Sequence, residues 1–314
     1  MKTIRALIWP AVGLAAILFS LYGLYHELRG LSLDDFLTRF QAVPLRSWLL
    51  SATATLVAYA ALAAYDHLAL EHLGRRLSLT FITVCSFTAY ALSHTIGASV
   101  FSGAVVRYRA YGSRGLSVSE TGILVAFCSL TFVLGTLTLS AIVLLIEPEI
   151  VDRFSAVIPI EASISTALLI LALISLYLLG SLIGFRPIHT KWFRLEYPRP
   201  TLAVRQLLIA PVELIGAAAI IYFALPVAGN PGYMVVLGVF LASFSAALLS
   251  HAPGGIGVFE LIFIAALPEV DPASVLAALV IFRLFYLVIP FLMALVVVVL
   301  FERRQFLERR RAGM

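Results

Sequence analysis

Polar residues divide this chain into long apolar runs. Residues 4–25, 47–70, 79–94, 119–146, 164–185, 206–226, 233–250 and 273–301 are each apolar over sixteen residues or more. A helix of about twenty apolar residues crosses the hydrocarbon core of a bilayer. The runs lack the ten-residue alternating segments of a membrane barrel. Two shorter apolar segments, 95–106 and 256–267, are too short for a comfortable crossing. The pattern predicts an all-α polytopic integral membrane protein: eight long transmembrane helices plus two short broken or re-entrant ones. It forms one membrane domain over 1–314, and no stretch reads as a soluble catalytic domain. Ser32-Leu33-Asp34-Asp35 resembles a capping box and precedes Phe36, Leu37 and Phe40 on one face, so a short interfacial helix is expected there.

The densest interruption of the pattern is Leu249-Ser250-His251-Ala252-Pro253-Gly254-Gly255-Ile256-Gly257-Val258-Phe259-Glu260. Irregular backbone at membrane depth survives only where protein buries it or a cavity borders it. Leu92-Ser93-His94-Thr95-Ile96-Gly97 matches Leu249-Ser250-His251-Ala252-Pro253-Gly254, and Val100-Phe101 matches Val258-Phe259 after one gap. An inverted repeat with halves near 79–146 and 233–301 would explain the likeness, and paired broken helices of that kind mark transporters. Chance similarity of apolar sequence is the competing explanation.

Composition excludes a soluble domain: 61% of residues are hydrophobic, 12% are charged, and the mean hydropathy is +1.02. The net charge of +5 is not a nucleic-acid footprint, because the basic residues lie between the apolar runs. There they set orientation. If both short segments cross, giving ten crossings, seventeen basic residues face the cytoplasm and four face outward. If both re-enter, the division is ten to eleven. Both schemes put the two termini inside, and the first obeys the positive-inside rule. The first 25 residues read as a retained anchor, because their apolar run is too long for a signal-peptide core. Cys85 and Cys128 both fall in apolar runs and read as packing residues. Gly180-x-x-x-Gly184 is a candidate close-packing face.

Several polar residues carry candidate chemistry. Gly254, Gly255 and Gly257 permit a sharp turn into a half-helix, whose N-terminus suits a phosphate or carboxylate. Packing alone is the other reading. Glu260 lies one turn into that segment, and Arg283 lies within the last run. A Glu260–Arg283 pair would reduce the cost of the buried charge, either as a structural pair or as a gate that a lipid headgroup opens by competing for Arg283. Arg107 and Arg109 follow the first short segment, as topogenic charge or as phosphate ligands helped by Tyr108 and Tyr111 at headgroup level. Arg107 and Tyr111 share a helix face. His94, His251 and Glu213 (beside Pro211) are candidates for coupling or gating by protons, or for plain hydrogen bonding. Asp66 lies near a span's inner end, where a capping or interfacial role fits. No metal-ligand spacing, nucleotide loop or nucleophile triad occurs, and no cofactor is implied.

Four motifs together resemble one family: Gly103-Ala104-Val105-Val106-Arg107-Tyr108-Arg109-Ala110-Tyr111, Gly115-Leu116-Ser117, Ala126-Phe127-Cys128-Ser129-Leu130-Thr131 and Pro253-Gly254-Gly255-Ile256-Gly257-Val258-Phe259-Glu260. They are similar to the lysylphosphatidylglycerol synthase transmembrane family, the membrane region of MprF-type proteins that also occurs alone in YbhN-like proteins. The resemblance implies the flippase-like half, moving or binding an anionic phospholipid or lipid-linked amphiphile across a bacterial inner membrane. The implied partners are that lipid substrate, membrane lipids and a lipid-modifying protein. Nucleic acid is not implied, and the oligomeric state is open. Two alternatives stand beside transport: an enzyme acting on a lipid headgroup with Glu260 or His251 as acid or base, and a non-transporting scaffold for a lipid-modifying partner. Without an ATP-binding motif, transport would be passive, ion-coupled or partner-driven.

Overall fold

The computed structural model describes residues 33–96, 99–154, 164–184, 188–189, 194–195, 197–250 and 253–311. Its helices are α1 (Leu33–Gln41), α2 (Leu45–His72), α3 (Leu79–Ile96), α4 (Ser99–Gly112), α5 (Val118–Ile146), α6 (Ile164–Ile183), α7 (Pro200–Ala224), α8 (Tyr233–Ser250), α9 (Val258–Ala266), α10 (Pro272–Arg283) and α11 (Ile289–Arg311). A π-helical turn, Leu284–Val288, joins α10 to α11, and 3-10 turns occupy Pro148–Phe154 and Pro253–Gly255. Ile188–His189 and Arg194–Leu195 form a two-residue antiparallel pair.

Local chemistry sets the helix ends. Ser117 and Glu120 form a reciprocal capping box at the start of α5. Asp271 caps α10 by accepting the Ser274 N–H at 3.3 Å, and Pro200 occupies the first turn of α7. That proline starts α7 at Pro200, six residues before the expected 206. Arg205 therefore lies in a helix rather than in a loop, and it pairs with Glu71 at 2.8 Å.

Among the described residues, six helical stretches are long and apolar enough to cross a membrane: α2, α5, α6, α7, α8 and the continuous α10–α11. Of the eight expected spans, 4–25 falls outside the described residues, and 79–94 is the 18-residue α3. The long helices are apolar around most of their circumference. Leu56, Leu168, Leu182, Leu292 and Val296 are exposed. Faces like these suit a lipid solvent and would aggregate in water. The expected interfacial helix is α1. It buries none of its residues fully, and Phe40 meets Trp48 edge-on at 5.5 Å.

Ion pairs and ring contacts sort the connections to two ends of the bundle. Arg75–Glu120, Arg205–Glu71 and Arg109–Glu302 tie one end, where Arg114 also lies over the Phe81 ring. Arg39–Asp271 and Arg153–Glu269 tie the other. α4 therefore runs back along α3 to the end where α3 began. Arg75, Arg109, Arg114 and Arg205 therefore lie at one end of the bundle. α8 and α9 make a second hairpin that opens at the opposite end: Phe259 meets Phe240, and Arg153 donates to the Ala266 carbonyl at 3.0 Å.

Both short segments differ in extent from the expectation. The first runs on to Gly112, six residues past 106, because Arg107 is neutralised within the bundle and does not end the helix. The second is α9, Val258–Ala266. In Gly180-x-x-x-Gly184, Gly180 is buried, but Gly184 makes no close contact. Gly184 ends α6 in the left-handed region (φ +68), and a Cβ there would meet nothing within 4 Å. Two tight backbone approaches between long helices are at Gly216, where a Cβ would lie 2.9 Å from the Ala54 carbonyl oxygen of α2, and at Gly135 against the Ala210 carbonyl of α7. Gly216→Val and Gly135→Val are expected to destabilise the protein by about 1–3 kcal/mol or more. Gly122→Ala, into open space, should stay within about 0.5 kcal/mol. Thermal unfolding in detergent measures all three.

Candidate functional site

The two hairpins meet tip to tip. The second tip turns on Gly254 (φ 60), Gly255 (φ 65) and Gly257 (φ 86). A Cβ on Gly255 would come within 2.7 Å of the Ala247 methyl, so the turn can close against α8 only without a side chain. A Cβ on Gly254 would lie 3.9 Å from the Thr95 carbonyl oxygen, at the tip of the first hairpin.

Arg283 reaches this meeting point from the end of α10. Its Nε donates to Glu260 Oε1 at 2.6 Å, its Nη2 also faces that oxygen, and its Nη1 donates to the Gly254 carbonyl at 3.0 Å. Glu260 Oε2 accepts the Gly257 N–H at 2.8 Å. The expected Glu260–Arg283 pair is therefore present, with side chains 11% and 20% exposed. One expectation changes. The N-terminus of α9 is not vacant for an anion, because Glu260 folds back and places its own carboxylate there. Arg283 is the group that an incoming anion would have to take from Glu260.

The first hairpin holds a second pair. Arg107 donates through Nη2 to Asp66 Oδ1 at 2.8 Å and through Nε to Oδ2 at 3.1 Å. Tyr111 donates its hydroxyl to Asp66 Oδ2 at 2.8 Å, and the Cys128 thiol lies 3.4 Å from Oδ1. The Arg107 guanidinium also stacks 4.4 Å over the Tyr90 ring. Arg107 and Asp66 are 5% and 0% exposed. This corrects three expectations. Arg107 is buried and paired rather than a free charge, Tyr111 is fully buried, and Asp66 does not end its helix, because α2 continues six residues beyond it to His72. The shared face of Arg107 and Tyr111 was readable in the sequence. Their acceptor, 41 residues from Arg107, was not.

Tyr108 and Arg109 are separate from both pairs. Arg109 is exposed and bound to Glu302. With Tyr108, Gly112, Leu116, Ser117 and Val118 it borders a surface cleft of about 470 Å³ at the α4–α5 corner.

Between the pairs lies a third buried polar group. The Tyr286 hydroxyl, in the π turn, donates to Glu213 Oε1. The Tyr286 ring stacks on His94 at 5.1 Å, and His94 lies 5.8 Å from the Tyr90 ring. The Tyr59 hydroxyl donates to the Tyr286 carbonyl at 2.9 Å. A chain of contacts thus runs Asp66–Arg107–Tyr90–His94–Tyr286–Glu213, buried at both ends and half-buried at Tyr90 and His94. His251 lies outside the described residues, as does the side chain of Pro253.

The family model for the lysylphosphatidylglycerol synthase TM region matches residues 8–294. The chain belongs to this family. It is similar to an uncharacterised protein of Synechocystis, 31% identical over 96% of this chain and 94% of that one. It is likewise 31% identical to the inner membrane protein YbhN of Escherichia coli, over 81% of this chain and 80% of YbhN. The phosphatidylglycerol lysyltransferase of Staphylococcus aureus is 25% identical over 90% of this chain, which is 32% of the lysyltransferase. The protein is thus a multi-pass membrane protein related to a lipid-modifying enzyme.

The Asp66–Arg107 pair generates a stability prediction. Asp66→Ala or Arg107→Ala should each destabilise the protein by about 3–5 kcal/mol, because each leaves one buried charge unmatched. The double variant Asp66→Ala/Arg107→Ala should cost less than the two single changes added together. A double-mutant cycle from thermal unfolding tests this.

Proposed function

We propose that this protein translocates, or binds for translocation, an anionic phospholipid or lipid-linked amphiphile across the inner membrane. One observation carries the reading. Arg283 sits where two opposed hairpin tips meet, deep in an apolar bundle, and its partner carboxylate is on one of the moving parts. A lipid phosphate offers Arg283 what Glu260 offers it: paired anionic oxygens for a planar guanidinium. Competition by the headgroup releases Glu260 and frees the tip of the second hairpin. The Gly254, Gly255 and Gly257 backbone then lines the headgroup's path; Pro253 and His251 are proposed as headgroup-binding from their place in the sequence alone. Arg107 holds the first hairpin against α2, Tyr108 and Arg109 receive headgroups at the surface, and the acyl chains stay in lipid.

The topology of this proposal has ten crossings with both termini cytoplasmic. The end bearing Arg75, Arg109, Arg114 and Arg205 faces inward, as the positive-inside rule favours. In this proposal the two hairpins, which open at opposite ends, begin the halves of an inverted repeat over about 79–146 and 233–301. Kinship with a phosphatidylglycerol lysyltransferase and with an inner membrane protein supports a phospholipid as the cargo.

The test uses purified protein in vesicles of phosphatidylglycerol and phosphatidylethanolamine carrying a fluorescent phosphatidylglycerol. Wild type and Gly122→Ala should exchange the probe between leaflets at equal rates. Glu260→Gln and Arg283→Ala should slow exchange by roughly tenfold or more, about 1.4 kcal/mol of barrier, while remaining monodisperse. Equal rates in all four proteins would sink the proposal. A chemically altered probe would replace it with an enzymatic reading.

A further inference from the structure

One buried carboxyl is not used by the anion path. Glu213 lies on α7, two residues after Pro211, and is 1% exposed. Its Oε1 accepts the Tyr286 hydroxyl, and its Oε2 has no partner among the described residues. The titratable groups that interact with it are Tyr59 and Tyr65 of α2 and Tyr286 of the π turn. His94 of α3 stacks behind Tyr286 with its Nδ1 buried and also without a partner among the described residues. None of these groups is a fixed cation. Arg283, three residues before Tyr286, is bound to Glu260 and Gly254 instead. A carboxylate with one hydrogen bond and no counter-ion in an apolar bundle would cost several kcal/mol, whereas the neutral acid costs far less.

We propose that Glu213 is a proton-binding site whose occupancy is transmitted through Tyr286 to the point where the two hairpin tips meet. The inference deepens the transport reading by naming its coupling ion, and it rests on that reading for its purpose but not for its test. In the closed arrangement Glu213 carries the proton. When the tips part and water reaches the carboxyl, its O–H bond breaks. The proton passes to water, and the bonding pair stays on the carboxylate. The anion then binds the Tyr286 hydroxyl more strongly and draws on the π turn.

That turn is built to pass the pull onward. Tyr286 is fixed there by the Tyr59 hydroxyl on its carbonyl, by the His94 ring on one side and by Phe282 at 5.2 Å. Arg283, one turn earlier, holds the Gly254 carbonyl of the second tip, while His94 belongs to the first. A π-helical turn carries an extra residue within a helix and can shift register locally, a feature frequent at functional sites. Protonation of one carboxyl thus acts on both tips at once.

The experiment has two readouts that do not require lipid movement. Infrared difference spectra of the full-length protein should show the carbonyl band of a buried protonated carboxyl, absent in Glu213→Gln. The band should fade from mildly acidic to mildly alkaline pH. In a Thr95→Cys background, where native Cys85 and Cys128 are buried, maleimide labelling of the tip should rise over the same range. The rise should be roughly fivefold or more, the lower end of coupling between linked sites, beyond the rise in Glu213→Gln, which records the thiol's own pH dependence. Tyr286→Phe should keep the infrared band and lose the labelling response. Three results would overturn the proposal: no band lost in Glu213→Gln, an equal labelling response in that variant, or a response that follows sodium instead of pH. If both readouts behave as expected while vesicles show no lipid exchange, the transport reading falls and the proton site stands.

Discussion

A guanidinium inside an apolar helix bundle has to be matched by a carboxylate, and the two hairpins are held by two such matches. Arg107 with Asp66 fixes α4 to α2, and Arg283 with Glu260 fixes the start of α9 to the end of α10. Neither hairpin could keep its place by apolar contact alone, because lipid offers an apolar helix face nearly the same contact as another helix does. An unmatched charge has no such alternative solvent. The pairs therefore specify where the short helices dock. Close approach at Gly135 and Gly216 holds α5, α7 and α2 together as the frame.

The long helices and the second break were legible because their physics is local. A run of apolar residues is a helix wherever the chain lies in lipid, and three glycines beside a proline cannot continue one. The Glu260–Arg283 pair was legible for a related reason: few carboxylates were available to match a charge in the middle of an apolar run. Asp66 was misplaced by the same logic. Tyr65-Asp66-His67 looks like the polar end of a span, yet α2 keeps its helix to His72 and buries Asp66 completely. Only the tertiary fold says that Arg107 arrives beside it. The signal available in sequence was Arg107 and Tyr111 on one face. Two donors one turn apart imply an acceptor, without saying which. Gly184 failed in the opposite direction, since a spacing motif says nothing about whether a neighbouring helix passes there.

The two pairs are not equivalent. Asp66 is saturated: it takes two bonds from Arg107, one from Tyr111 and the Cys128 thiol, and all of these partners are buried. Glu260 instead divides its two oxygens between Arg283 and its own helix start, and the pair is partly exposed. The polarity is also reversed. The first hairpin carries the cation and the second carries the anion. Withdrawing the first from its partner would expose a carboxylate, which repels an anionic headgroup. Withdrawing the second exposes Arg283 and bare glycine backbone, which attract one. The two pairs thus differ in what they cover: Asp66 lies behind the first hairpin and Arg283 behind the second. The tyrosine that binds Glu213 lies one turn from Arg283 and stacks on His94, so a single side chain adjoins both hairpins.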